Sequence, residues 1–535
     1  MWRAAGAAVV GLALIWAGTS FFASRSKAPA PRPAGELQRL GPYRPGMDLR
    51  AAFESLPAPA DRTELTLLLD NTEAWAARWR MLAAAERSID ISYFILREDL
   101  FGAAFLGHLL KKAREGVSIR LLFDGQGTAM SFTSPRGNDW LDTLANSGRI
   151  EIKIFRPLLH RYIEALLTVN PVALVASEHD KILVIDGRAG MIGGRNISAE
   201  YFADPDDMPN AFEDTDVLLG GAAIARYLTE ALEAQYRRVA ARPVAAERLD
   251  LASFEEELLH AYRSMDAWLR GEPLPAPAAS AARVPERDWT EELVRYPRLR
   301  GALERPPRAP DARAETRLLD SRTRLEPGGD VIGEAFLRLA RGARSHVLIQ
   351  SPYLVLSEDA VRALAEVGAR GTRITILTNS PISSDNALSQ AFFLEQWPEM
   401  LARVPNLRIF VVGPPRTLHS KAAVFDDQVA LVGTYNLDPI SMDVNSEVMV
   451  AVWSESFARD IARHPQRLIA AGAPHVYEYR IARDAQGRPE RGADGRPVVA
   501  FGPADHADPA AWRKIRLYWR LLRAAGKIVG FRPLF

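Results

Sequence analysis

Apolar and polar positions follow one order twice along this chain. Arg87-Ser88 leads into the mostly apolar run Ile89 to Leu96, then a stretch from Ala103 to Glu115, Gly116 and a second strand-like run, Val117 to Asp124. Arg344-Ser345 leads in the same way into Val347 to Val355, a stretch from Asp359 to Arg370, Gly371 and the run Thr372 to Asn379. Phe105, Leu106, Leu109, Leu110 and Ala113 recur at helical spacing, as do Val361, Leu364, Ala365 and Val367, which predicts a helix with one apolar stripe in each half. The glycine after each suits a C-terminal cap. Strand, helix, strand in both halves predicts an α/β fold, with a mixed sheet in each half and helices on both faces.

A second pattern repeats in register with the first. His179, Lys181 and Asp186 precede Gly193 and Asn196, and His419, Lys421 and Asp426 precede Gly433 and Asn436. Both copies read His-x-Lys, four residues, Asp, six residues, Gly-x-x-Asn. Average residue usage gives odds on the order of 10⁻⁴ to 10⁻⁵ for even one such match in a chain of this size. Each copy also predicts a hairpin. Ile182 to Ile185 is an apolar β-branched run, Asp186-Gly187 signals a turn, and Ala189 to Ile192 returns; Ala422 to Phe425 repeats this after Lys421. On a strand His179 and Lys181 share one face, and the return strand brings Asn196 back beside them.

The rest of the chain divides around these halves. Residues 1–35 read as a signal or anchor segment with a tether, because Ala4 to Ala23 is uncharged and long enough to cross a bilayer. Basic residues flank it on both sides, and a Pro- and Ala-rich stretch follows. Residues 36–270 form the first half, 271–315 a Pro-rich linker, 316–470 the second half, and 471–535 a hairpin and a basic amphipathic helix. In that last helix Arg513, Arg516, Arg520, Arg523 and Lys527 share one arc, and Trp512, Ile515, Tyr518, Trp519 and Leu522 another. It either docks its aromatic stripe on the domain or lies on an anionic membrane surface. The apolar stretch Ile163 to Val175, just before the first motif, reads as strand and helix packed in the core, with an acyl-chain entrance as the alternative.

Composition narrows the chemistry. With 67 Lys and Arg against 66 Asp and Glu, the net charge of +1 lacks the basic excess of a protein that grips nucleic acid, so no nucleic-acid partner is expected. The absence of cysteine excludes disulfides, thiol nucleophiles and cysteine metal sites.

Attack on a phosphodiester needs a nucleophile, an acid for the leaving alkoxide, and positive charge on the nonbridging oxygens. One motif supplies part of that set. Two copies meeting about a pseudo-twofold axis supply all of it: one histidine attacks phosphorus, the other protonates the leaving oxygen, and the lysines with Asn196, Asn436 and Thr434 hold the phosphate. The residues alone leave open which histidine does which. A lysine beside each histidine would repel a cation, so neither metal nor other cofactor is expected. His108, His160, His260, His346, His464, His475 and His506 read as structural.

These motifs resemble those of the phospholipase D superfamily, and within it the bacterial cardiolipin synthase-like subgroup. The resemblance runs from about Pro42 to the C-terminus, through Ile192 to Ile197, Glu200-Tyr201-Phe202, Ser351-Pro352-Tyr353, Leu377 to Ser380, Leu418 to Lys421 and Gly433 to Pro439. It implies a duplicated phospholipase D fold and two-step phosphatidyl transfer, with His179 as nucleophile and His419 as acid and base. Asp186 and Asp426 would then anchor their hairpins. Glu447 matches an acid that partners a motif histidine, and Asp214 is its counterpart in the first half. The substrates implied are phospholipids, phosphatidylglycerol first and phosphatidylethanolamine second; the N-terminal segment leads us to expect a protein tethered to a bacterial cell membrane with its catalytic part exported. Two departures stand out: Gly194 where many members have serine, and Ser177-Glu178 ahead of His179. A phosphodiester hydrolase, including an exported nuclease, is the alternative function, and a silent lipid-binding protein a third.

Overall fold

The computed structural model describes residues 39–127, 135–168, 172–237, 241–243, 252–275, 289–323 and 329–528. The segment read as an anchor, together with Pro277 and Pro285, lies outside them, as do the side chains of Tyr518, Leu522, Arg523 and Lys527. Among the described residues no helix is long and apolar enough to cross a membrane.

Alternating apolar runs build nine strands in the first half: β1 (Pro59–Leu68), β2 (Ser88–Tyr93), β3 (Ser118–Asp124), β4 (Ile150–Phe155), β5 (Ile182–Ile185), β6 (Ala189–Gly193), β7 (Phe212–Glu213), β8 (Asp216–Gly220) and β9 (Ala241–Pro243). Ten follow in the second: β10 (Ala312–Ser321), β11 (His346–Gln350), β12 (Arg373–Asn379), β13 (Leu407–Val412), β14 (Thr417–Leu418), β15 (Ala422–Phe425), β16 (Val429–Gly433), β17 (Glu447–Trp453), β18 (Val476–Ile481) and β19 (Val499–Phe501). The first half runs β9-β4-β3-β2-β5-β6-β8-β1 across the sheet, and the second β10-β17-β16-β15-β11-β12-β13-β18-β19. Antiparallel pairing of β1 with β10 joins them into one sheet of 17 strands. In each half three strands are parallel, β2-β3-β4 and β11-β12-β13, and the motif hairpin packs antiparallel beside them. The two arrangements exchange about an axis between β1 and β10, which is the expected pseudo-twofold.

Helices cover both faces. Leu100–Arg114 and Glu358–Ala369 are the two helices read from the sequence, with Gly116 (φ +97°) and Gly371 (φ +93°) turning the chain back after each. Ala222–Tyr236 and Glu455–Ala471, one from each half, bury Ile224, Leu228, Leu232, Phe457 and Ile461 in a single core with strands of both halves. Docking of the halves therefore removes apolar surface that neither could hide alone.

Four features differ from the sequence reading. Leu49, Ala52, Phe53 and Leu56, near the start of the first half, pack into the core of the second. The Pro-rich segment contributes Trp289, Leu293, Leu299 and Ala302 to the first-half core, and β10 begins inside it at Ala312. Ile163 to Val175 does not form a core strand and helix: Leu158–Thr168 is a surface helix with Leu166 82% and Leu167 77% exposed, followed by the short helix Val172–Val175. Its apolar stripe satisfies helical periodicity but faces outward. His179 and Lys181 precede β5 instead of lying on it: the chain there pairs with the other half, Glu178 bridging Ser446, and the ladder with β6 starts only at Ile182. The C-terminal helix Pro509–Ile528 does rest on the domain, packing on Ala387–Arg403 with the Trp519 indole donating to Glu395 at 3.1 Å.

Candidate active site

Each motif hairpin turns through three residues, of which the first two have positive φ: Asp186 (+51°) with Gly187 (+64°), and Asp426 (+52°) with Asp427 (+54°). A short polar side chain tolerates that conformation and can bond nearby backbone. The Asp186 carboxylate accepts the amides of Glu86, Arg87 and Ser88 at 3.0, 2.7 and 2.9 Å. Asp426 accepts those of Arg344, Ser345 and His346 at 2.7, 2.8 and 2.9 Å. Both aspartates thus fasten the hairpin to the start of β2 or β11, at the far end from the histidines.

The chain leading to each histidine is paired with the chain leading to an acid of the opposite half. β14 lies parallel to β7, and the His419 amide donates to the Glu213 carbonyl at 2.8 Å, just before Asp214. Glu178 bridges Ser446 in parallel, and the His179 amide donates to the Ser446 carbonyl at 3.2 Å, just before Glu447. Consequently His419 Nδ1 lies 2.6 Å from Asp214 Oδ2, and His179 Nδ1 lies 2.9 Å from both oxygens of Glu447. The structure brings both acids named from the sequence to the histidines, each across the junction between halves.

Two residues given no site role from the sequence, one of them within the Leu377 to Ser380 segment, fix the approach to the histidines. The Asp124 carboxylate accepts the Glu178 amide at 2.9 Å. Asn379 accepts the Leu418 amide at 2.8 Å and donates to its carbonyl at 2.7 Å. Both end the second strand of their repeat unit, so matching terminal polar residues after apolar runs were the available signal.

The remaining groups converge. Lys181 donates to the His179 carbonyl at 2.8 Å and Lys421 donates to that of His419, and all four side chains are buried. Lys421 Nζ is also 2.9 Å from His419 Nδ1, but that nitrogen cannot accept from lysine while donating to Asp214; we assign its proton to the shorter contact. Asn196 takes the Ile95 amide at 3.0 Å and donates at 2.9 Å to Tyr201, whose hydroxyl is 3.5 Å from His419 Nε2. Asn436 donates to Ser441 at 3.3 Å, and Ser441 and Thr434 donate to Glu447 at 2.7 and 2.5 Å. Phe94 stands edge-on to His179, and Phe212 stacks on His419.

Burial sets the electrostatics. It pushes Lys181 down to about 7 and Lys421 down to about 8, and lifts Glu447 to about 8. Burial and the neighbouring lysines hold His179 well below the usual histidine range. His419 is lowered too, by burial and Lys421, with Asp214 opposing. Burial acts to raise Asp214, but the His419 and Lys421 charges outweigh it and hold the carboxyl below its ordinary value. The site therefore offers a neutral imidazole beside Glu447 and an imidazole beside a firmly ionised carboxylate.

The family described as cardiolipin synthase, phospholipase D-like domain, matches residues 79–233 and 336–469, more than half the chain and both motifs. The chain belongs to this family. Among relatives of this phospholipase D-like protein, cardiolipin synthase C of Escherichia coli is 26% identical over 445 residues, covering 77% of this chain and 85% of the relative. A protein of Helicobacter pylori described as uncharacterized is 26% identical over 429 residues, covering 76% and 80%. Cardiolipin synthase 1 of Bacillus cereus is 24% identical over 404 residues, covering 76% and 66%. The crystal structure of phosphatidylserine synthase from Haemophilus influenzae aligns with a TM-score of 0.59 at 13% identity, over 90% of this chain and 98% of that one. The fold is the duplicated phospholipase D fold that the motifs predicted.

Proposed function

We propose that this protein is a phosphatidyltransferase that makes cardiolipin or a related phospholipid through a phosphohistidine on His179. The observation that carries the reading is the exchange of acids between halves, which gives two histidines in one buried site different carboxyl partners, Glu447 raised by burial and Asp214 held ionised. His179 uses Nδ1 on Glu447 and keeps Nε2 for phosphorus. His419 has Asp214 at one ring nitrogen and Tyr201 at the other, and an ionised Asp214 stabilises its protonated form.

In the first step His179 Nε2 bonds to phosphorus as the bond to the leaving alkoxide breaks, and the His419 imidazolium gives that oxygen its proton. In the second, His419 takes the proton of an incoming alcohol, whose oxygen displaces His179 and restores the starting enzyme. Lys181 and Lys421 stabilise the charge that develops on the nonbridging oxygens. Phosphatidylglycerol fits as both donor and acceptor, with phosphatidylethanolamine the second donor to test. The names of the bacterial relatives support this substrate class. Ala4 to Ala23 would hold the domain at the cell membrane with its catalytic part exported, a placement that reporters fused after Gly35 would test.

Incubation of the purified chain with phosphatidylglycerol vesicles, with and without phosphatidylethanolamine, is expected to yield cardiolipin by mass spectrometry. Replacing His179 by Ala should reduce turnover by about 10³-fold or more. Release of free head group without a transfer product would make the protein a hydrolase instead, and full activity of the His179→Ala variant would end the phosphohistidine reading.

A further inference from the structure

The helix Leu158–Thr168 carries six of the eleven large apolar side chains that stand exposed among the described residues: Leu158, Leu159, Tyr162, Ile163, Leu166 and Leu167. Their spacing forms two adjacent i, i+4 rows, hence one continuous stripe along the helix. Leu159, Leu166 and Leu167 are 68%, 82% and 77% exposed. A patch of this kind on a soluble face marks an interaction surface.

The opposite side of the helix is pinned to the site. Arg161, 1% exposed, forks onto Asp124 at 2.9 and 2.7 Å and reaches Ser177 at 3.1 Å. Asp124 is the same carboxylate that accepts the Glu178 amide next to His179. Glu164 turns back to Arg156 at 2.7 Å, which keeps its charge off the stripe. The stripe and the reacting histidine thus share one rigid support.

We propose that this helix lies in the surface of a lipid bilayer, its apolar stripe among the acyl chains, and presents the phospholipid phosphate to His179. Three observations choose a bilayer over a protein partner. The stripe is aliphatic, with a single tyrosine whose polar tip suits the headgroup boundary, and no charged side chain interrupts it. The helix precedes the motif directly, with only residues 169–178 between it and His179. The chain preceding the described residues includes Ala4 to Ala23, uncharged and of bilayer-crossing length, which would keep the domain against a membrane. The effect on turnover rests on the phosphatidyl-transfer reading; insertion of the helix does not.

Because the chain has no cysteine, Leu166→Cys in the full-length protein takes a single environment-sensitive fluorophore, and Ala485→Cys, in an exposed turn, provides the reference. In phosphatidylglycerol/phosphatidylethanolamine proteoliposomes the label at 166 should be quenched by acyl-chain spin labels. It should also be protected from aqueous iodide about fivefold relative to 485. Equal iodide access at the two positions overturns the proposal, and so does protection without acyl-chain quenching, which would mean that a second copy or the N-terminal segment covers the stripe. The double variant Leu166→Glu, Leu167→Glu should lose about tenfold in rate on vesicle phosphatidylglycerol while acting on dissolved short-chain phosphatidylglycerol within about twofold of the parent. Equal loss on both substrates, or none on vesicles, counts against it. If the parent protein transfers nothing from either substrate, the transfer reading fails while the fluorophore still decides insertion.

Discussion

A Cβ built on Gly194 would stand 2.2 Å from Oδ1 of Asp214 and 2.6 Å from Oδ2, whereas the equivalent Thr434 sends its hydroxyl 2.5 Å to Glu447. The two halves thus solve one problem differently. Where the acid is glutamate, a hydroxyl steadies it; where the acid is aspartate, its carboxylate takes the space that side chain would fill. A serine here would crowd Asp214 away from His419, so Gly194→Ser should lower kcat by about tenfold or more. Activity within twofold of the parent would refute this. The same comparison explains Glu178, the other departure noted in the sequence. It is fully buried, takes the Ser446 hydroxyl at 2.7 Å and the Ser92 hydroxyl at 3.2 Å, and so belongs to the junction between the halves.

At the level of elements the two motif hairpins share one turn geometry, and the motif aspartates explain why. Each holds three backbone amides from a left-handed turn position, a set that no apolar residue replaces. Asp426→Ala should cost about 2–4 kcal/mol through unsatisfied amides and backbone strain, seen as a lowered thermal midpoint, before any effect on chemistry. An unchanged midpoint would contradict that role. Strands, helices and hairpins were readable in the sequence because each obeys its own local period, as Phe105 to Ala113 and Ile182 to Ile192 do. Direction was not readable. The stripe of Leu158–Thr168 has the periodicity of a core helix, and only the placement of Arg161 on Asp124 turns it outward. The placement of Leu49 to Leu56 in the second-half core was equally hidden, since a short apolar cluster does not name its partner.

At the level of the molecule, the site's electrostatics come from docking. Lys181 and Lys421 belong to different halves, and closure of the junction buries both, which lowers their affinity for protons to about 7 and 8. A lysine is charged below its pKa, so the positive charge proposed to serve the phosphate is lost as pH rises through that range. The kcat/KM profile should therefore fall on an alkaline limb between about pH 7 and 8, far below the ordinary lysine value of about 10.4, while a bound phosphodiester anion should move the limb of kcat upward. A limb above pH 9.5 would show that the lysines keep their charge. Which acid serves which histidine was likewise beyond the sequence, because the chain names Glu447 and Asp214 but only the paired segments β7 with β14 and Glu178 with Ser446 decide the exchange.

That exchange ties chemical competence to completed folding. A chain whose second half has been made but not docked holds His179 without Glu447 and His419 without Asp214, so neither imidazole is oriented or correctly charged. Molecules whose halves have not docked therefore lack both histidine–acid pairs at once, and the site exists only where the two halves meet.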